Sequence, residues 1–124
     1  MSEKKIRGGS LIARALKDKG VQHVFTLSGG FCNPALEGFM ECQMEVINCP
    51  HEQIAGHIAD GHTRITRKPA VCLVGPEGFA NAVPSMMEAW GERSPVIFIT
   101  GSSSLKRQGS CLLYTSPSPR DGSE

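Results

Sequence analysis

A lone carboxylate stands where an apolar segment gives way to a run of small residues, in residues 49–53 (CPHEQ). Glu52 is the side chain best placed for chemistry, because a carboxylate can accept, share or donate a proton with a ligand held next to it. A glutamate in the first turn of a helix also has a structural use, since it offsets the helix dipole and accepts hydrogen bonds from free N–H groups. Position alone favours this capping role over a catalytic one.

Glycine-containing loops follow three β-rich runs, at residues 28–30 (SGG), 75–78 (GPEG) and 101–103 (GSS). Glycine at such positions lets backbone N–H groups approach a ligand closely, although each loop taken singly is more often an ordinary turn. The chain contains neither a Gly-x-Gly-x-x-Gly fingerprint nor a phosphate loop, which argues against a dinucleotide or ATP site.

The elements that must position these residues alternate between helix and strand. Apolar spacing predicts a helix with an inward stripe of Leu11, Ile12, Ala15 and Leu16, a second helix capped by Asn33, and further helices over residues 52–66 and 82–91. Strands are predicted at residues 21–27, 44–49, 70–74 and 95–100. This alternation predicts an α/β fold, a parallel sheet of four strands in the order 2-1-3-4, with Glu52 and the glycine loops along one edge.

Composition excludes several classes of function. A formal net charge of +1 gives no electrostatic basis for binding nucleic acid or an anionic membrane. No apolar run is long enough for a membrane span or a signal peptide, so a cytoplasmic or organelle-matrix location is expected. The five scattered cysteines are expected to be reduced thiols, and the four histidines lack the spacing of a metal site.

The last residues break the α/β pattern. Residues 111–121 (CLLYTSPSPRD) match the in-frame translation of a transposon-type sequencing-library adapter, and their Ser/Pro content favours disorder. We therefore assign residues 1–109 to a partial domain and residues 110–124 to a non-native disordered tail. A genuine flexible tail is the alternative. If the adapter interpretation holds, the chain is a fragment of a longer protein.

Over residues 8–109, the order and spacing of several motifs resemble the N-terminal, pyrimidine-binding domain of thiamine diphosphate enzymes, the acetolactate synthase group in particular. The motifs are Val24-Phe25 before a glycine loop, His51-Glu52-Gln53, the strand at residues 68–74 with its Gly-Pro turn, Asn81, Glu88-Ala89-Trp90, and residues 94–101. The sequence TLSGG at residues 26–30 replaces the commoner Gly-Ile-Pro-Gly, which brings the chain closer to the acetolactate synthase and 2-hydroxyacyl-CoA lyase branch. Glu77 interrupts the usual Gly-Pro-Gly, which leaves the alignment across that turn shifted by up to a residue.

The resemblance implies a flavodoxin-like thiamine diphosphate-binding fold in which Glu52 hydrogen-bonds a ring nitrogen of the cofactor's aminopyrimidine. The cofactor-binding residues that it implies are Ser28, Gly29, Gly30, Gly75, Pro76, Gly78 and Asn81. The diphosphate and Mg²⁺ would be held by a domain absent from this chain. The active site would form between two subunits of a homodimer or tetramer.

The implied parent protein is a carboligase or decarboxylase acting on small 2-oxo acids, and this fragment alone is expected to be inactive. Two alternatives stay open from the sequence. One is a fragment of a 2-hydroxyacyl-CoA lyase-like enzyme. The other is a non-catalytic, flavodoxin-like binding module in which Glu52 only caps its helix.

Overall fold

A computed structural model describes residues 6–102, in which helices and strands alternate. The helices are α1 (Gly8–Asp18), α2 (Asn33–Glu41), α3 (Glu52–Thr66) and α4 (Phe79–Gly91), and the strands are β1 (His23–Thr26), β2 (Glu45–Asn48), β3 (Ala70–Val74) and β4 (Val96–Thr100). The third helix and the third strand have the bounds that the sequence predicts. The fourth helix begins at Phe79 rather than at Ala82.

The four strands form one parallel sheet in the order β2-β1-β3-β4, which confirms the predicted topology. Each strand is followed by a helix that crosses over to the next parallel strand, so the carboxyl ends of all four strands lie at one edge. The loops that follow the strands, and the first turn of α3, therefore meet at that edge.

Residues of β1 and β3 alternate between two apolar clusters, one on each face of the sheet. Val24, Val71 and Leu73 pack with side chains of α1 and α2, including Ala13 and Phe39. On the other face, Phe25, Cys72 and Val74 pack with alanines of α3 and α4. All five residues of β3 are buried, as expected for a central strand covered on both faces.

The predicted inward stripe of α1 is wrong for three of its four residues, because Leu11, Ile12 and Ala15 are exposed, and Leu16 is half-buried. The residues that face α2 are small, since the two helices approach closely through Gly9 and Gly38. A Cβ built on Gly38 would lie 2.7 Å from the backbone nitrogen of Ser10. Close packing therefore selects glycine and serine over the larger apolar residues that the hydrophobic pattern favoured.

Asn33 is not the cap of α2 as predicted, but the first residue within that helix. A short 3₁₀ turn over Gly30–Cys32 leads directly into the helix, and Cys32 at the cap position has φ −91° and ψ −19°. A side-chain cap requires an extended residue before the helix, and this connection has none.

None of the helices within residues 6–102 is long and apolar enough to cross a membrane. The predicted disordered tail at residues 110–124 lies outside the described residues and stays a prediction.

Candidate active site

Glu52 is the first residue of α3, directly after the loop that follows β2 at the carboxyl edge of the sheet. The side chain that caps this helix is the preceding one, because His51 Nδ1 accepts from the backbone N–H of Gln53 at 3.1 Å. His51 has the extended conformation of a cap residue, with φ −158° and ψ 148°. With the cap supplied by His51, Glu52 is available for another role.

The Glu52 side chain is only 14% exposed, which is low for a carboxylate at the start of a surface helix. Its Oε2 accepts a hydrogen bond of 3.2 Å from Nδ2 of Asn81, and His51 Nε2 lies 3.9 Å from the same oxygen. Asn81 belongs to the first turn of α4, so this bond joins the starts of two helices across the site.

The turn between β3 and α4 is shaped around Glu52. A Cβ built on Gly78 would lie 2.6 Å from Cγ and 2.7 Å from Cδ of Glu52, so a larger residue there would displace the carboxylate. The φ of Gly78 is −74°, which any residue can adopt, so it is the close approach that requires glycine. The Gly75 loop and Glu52 therefore come together as predicted.

The other glycines of the predicted site have different surroundings. A Cβ on Gly29 or Gly30 would meet nothing within 4 Å, and one on Gly75 would reach only ordinary contact, 3.5 Å from Glu77 Oε2. Pro76 is half-buried, whereas Glu77 is exposed at the tip of the turn. Open space above Gly29 and Gly30 is compatible with close approach of a ligand to the backbone.

The loop at residues 28–30 is tied to its own surroundings. The backbone N–H of Ser28 donates to Asn48 Oδ1 at 3.3 Å, and that of Cys32 donates to Gly29 O at 2.8 Å. Phe31 packs against Gly101, the residue that follows β4. Within residues 6–102 no side-chain hydrogen bond joins this loop to Glu52, whereas Gly78 touches the carboxylate and Asn81 hydrogen-bonds it.

Two buried thiols, Cys49 and Cys72, belong to the apolar cluster between the sheet and the helices α3 and α4. Burial raises the pKa of Cys72 to about 12, and the neighbouring Cys49 and Glu52 add to this effect. Burial also raises the pKa of Cys49. Both thiols therefore stay protonated near neutral pH and act as small apolar groups in that cluster. Cys72 lies in β3, the strand that leads to the Gly75 turn.

The site thus holds a mostly buried carboxylate that is fixed by one amide and touches one glycine. No group of three or more metal-ligating side chains occurs within residues 6–102. A carboxylate held in this way can accept a hydrogen bond from a ligand bound at the carboxyl edge of the sheet.

A parallel α/β fold with a carboxylate at the carboxyl edge of its sheet is typical of ligand-binding domains. Comparison with known proteins shows to which family of such domains the chain belongs. The profile of the thiamine pyrophosphate enzyme family, N-terminal TPP binding domain, matches residues 6–122. The chain belongs to this family, whose N-terminal domain binds thiamine diphosphate.

The chain is 36% identical over 105 residues to a probable acetolactate synthase of Mycobacterium bovis, covering 84% of the chain and 19% of that protein. It is 31% identical over 118 residues to a probable 2-ketoarginine decarboxylase of Pseudomonas aeruginosa, covering 91% and 21%. Benzoylformate decarboxylase from Polynucleobacter necessarius has the same fold, with a TM-score of 0.72 and 22% identity over 82% of the chain and 19% of that structure. The chain thus spans about a fifth of these proteins.

Proposed function

We propose that this chain is the pyrimidine-binding part of a thiamine diphosphate-dependent enzyme that acts on 2-oxo acids, with an acetolactate synthase-like carboligation as its reaction. The observation that carries the proposal is the Glu52 carboxylate, which is largely buried and held by Asn81 against Gly78. Membership of the thiamine pyrophosphate enzyme family supports the choice of cofactor.

In this proposal Glu52 accepts or shares a proton with a ring nitrogen of the aminopyrimidine. A carboxylate can accept several hydrogen bonds, so the bond from Asn81 leaves Glu52 able to form another. The Glu52 side chain is only 14% exposed, and partial burial strengthens a hydrogen bond formed there. When bound, the cofactor supplies the electron sink for decarboxylation of a 2-oxo acid. The protein residues orient it and hold the proton at Glu52.

Carboligation is preferred because the relative at 36% identity bears the name of an acetolactate synthase. Simple decarboxylation is the second candidate, supported by the relative named as a 2-ketoarginine decarboxylase, whose match covers 91% of the chain. A 2-hydroxyacyl-CoA lyase-like reaction, inferred from the loop at residues 26–30, is the third. In the non-catalytic alternative Glu52 would only cap α3, and the cap supplied by His51 argues against it.

The proposal includes partners that lie outside this chain. Mg²⁺ and the diphosphate would be bound by a further domain, and the active site would be completed by a second subunit of a homodimer or tetramer in the cytoplasm. Large apolar side chains exposed on α4, among them Met87 and Trp90, support such an assembly because they offer surface for another domain or subunit.

The test is an assay of the full-length protein that contains this chain, supplied with thiamine diphosphate, Mg²⁺ and pyruvate. Carboligation predicts release of CO₂ together with formation of acetolactate. Release of CO₂ with only the aldehyde as product would favour decarboxylation. If the protein turns over neither pyruvate nor other small 2-oxo acids supplied in its place, and the cofactor does not raise its melting temperature, the proposal is wrong.

A further inference from the structure

Asn81 and Glu52 are 29 positions apart in the chain and lie in different helices, yet their side chains are joined directly. Nδ2 of Asn81 lies 3.2 Å from Oε2 of Glu52. An ionised carboxylate only accepts hydrogen bonds, so the amide must present its NH₂ group to it. A hydrogen bond to a charged acceptor is stronger than one between neutral groups.

The other polar side chain beside this carboxylate cannot replace that bond. His51 Nε2 is 3.9 Å from Oε2, which is beyond hydrogen-bonding distance. The other ring nitrogen of His51 already accepts from Gln53. Within residues 6–102, Asn81 is therefore the side chain that hydrogen-bonds Glu52.

Gly78 limits the position of Glu52 from another direction. A Cβ on Gly78 would lie only 2.6 and 2.7 Å from Cγ and Cδ of Glu52, closer than a side chain there would permit. Contact with the turn and a hydrogen bond from α4 together restrict the carboxylate to one position. Three flexible torsions separate a glutamate carboxylate from its backbone, so an unrestrained Glu52 would sample several positions.

We infer that Asn81 is a positioning residue that acts through Glu52, rather than a residue that binds the cofactor directly. This inference rests on the proposed function of Glu52. The amide of Asn81 holds one oxygen of the carboxylate so that the group meets the pyrimidine nitrogen without reorganisation. Proton transfer depends on such geometry, because a misplacement of about 1 Å can cost a factor of roughly 10² in rate.

The experiment compares Asn81→Ala with the unaltered full-length protein in two measurements, the affinity for thiamine diphosphate and the exchange rate of the cofactor's thiazolium proton at saturation. A positioning role predicts exchange about 10- to 100-fold slower with an affinity changed by less than about 3-fold. Asn81→Asp keeps the shape but loses the donor, so its exchange should be at least as slow. Asn33→Ala makes the same change at the start of α2, on the same edge, and should leave both quantities unaltered.

A third measurement is independent of the cofactor. In the 124-residue chain, Glu52→Gln should shift the side-chain amide resonances of Asn81 and leave those of Asn33 in place. Asn81 is exposed, so its truncation opens no cavity and the variant should fold. Weakened affinity with normal exchange at saturation would overturn the inference in favour of a direct contact, as would unchanged Asn81 resonances. If exchange is normal in both Glu52→Gln and Asn81→Ala, the proposed function of Glu52 fails as well.

Discussion

At the scale of single residues, the site depends on a contact between a glycine and a carboxylate. Gly78 has a φ of −74° and could be any residue by its backbone, but Glu52 fills the space that a side chain would need. The three other glycines of the site have no comparable contact within residues 6–102. The sequence predicted that all four glycines let a ligand approach the backbone. In the structure, Gly78 has a different role, because its missing side chain leaves room for Glu52.

Gly78→Ala should displace Glu52 and destabilise the fold, because its Cβ would overlap Cγ and Cδ of that side chain. Overpacking of this kind costs about 1 to 3 kcal/mol in the free energy of unfolding, measured by urea denaturation. Gly29→Ala is the matched control, since its Cβ meets nothing within 4 Å, and should change stability little. Equal effects of the two substitutions would show that Gly78 does not constrain Glu52.

At the scale of elements, α3 is fixed to its surroundings at both ends and along one side. Its close approach to α4 is permitted by Gly56, where a Cβ would lie 2.6 Å from Cβ of Ser85. Arg64 bonds Asp60 in its own helix and Glu88 in α4. Burial alone would raise the pKa of Asp60, but the hydrogen bonds and charge of Arg64 hold it below the ordinary value. These contacts support the helix whose first residue is Glu52.

A cluster of aromatic rings holds the middle of α3 against the start of β1. The ring centroids of His62 and His23 are 4.3 Å apart, those of His62 and Phe25 are 5.5 Å apart, and Nε2 of His62 is buried without a hydrogen-bond partner within residues 6–102. Burial lowers the pKa of His62, and the charges of His23 and Lys68 lower it further, while Glu45 opposes them. A proton on His62 is therefore unfavourable in the folded chain.

This cluster should make stability depend on pH. His62 has a lower pKa in the folded than in the unfolded chain, so unfolding takes up a proton. The stability that neutral His62 contributes is complete above its ordinary pKa of 6.5. This stability is lost as the pH falls from 6.5 through the lower pKa of His62 in the folded chain. Urea denaturation at a series of pH values measures this loss.

His62→Phe keeps a ring in the cluster and removes the titrating group, so it should flatten the dependence of stability on pH below 6.5. His57→Phe, at an exposed position of the same helix, is the matched control and should keep the dependence. An unchanged slope in His62→Phe would assign the pH dependence to other groups.

Sequence pattern predicted the order of elements and the strand pairing, but not which side of each helix faces the sheet. In α3, Ala55 and Ala59 are buried, whereas Ile54 and Ile58 are 43% exposed. These alanines and isoleucines are sequence neighbours, so the helical period fits either pair, and hydrophobicity alone favours the wrong one. The contact between Asn81 and Glu52 was also out of reach, because it joins two helices whose relative position depends on Gly56 and Ser85.

At the scale of the whole molecule, the helices on one face place small residues on the sheet and large apolar residues outside. The large apolar side chains that are exposed on α3 and α4 are Ile54, Ile58, Ile65, Phe79, Val83, Met87 and Trp90. Met86, Trp90 and Phe98 line a groove of about 540 Å³ beside β4, the last strand of the described sheet. Apolar surface of this extent is typical of an interface with another domain or subunit.

Trp90 provides a direct measurement of that surface, because it is the sole tryptophan of the chain and is 82% exposed. In the 124-residue chain its fluorescence should resemble that of a solvated indole and be quenched by iodide. In the full-length protein we expect a blue-shifted emission with at least several-fold weaker quenching, because the proposed assembly covers α4. The same solvated emission in both proteins would exclude α4 from the interface.

The central claim is that Glu52 holds the aminopyrimidine, and it is tested most directly by Glu52→Gln in the full-length protein. Glutamine keeps the size of the side chain but cannot share a proton in the same way, and removing a proton-transfer partner typically slows a reaction by a factor of roughly 10² to 10⁴. Because His51 supplies the helix cap, the melting temperature should hardly change, whereas a lost cap would cost about 1 kcal/mol.

The measurement is the exchange rate of the thiazolium proton in bound thiamine diphosphate, recorded alongside a melting curve. We expect slow exchange in a protein that melts like the unaltered one. Normal exchange in a stably folded Glu52→Gln protein would contradict the assignment of Glu52.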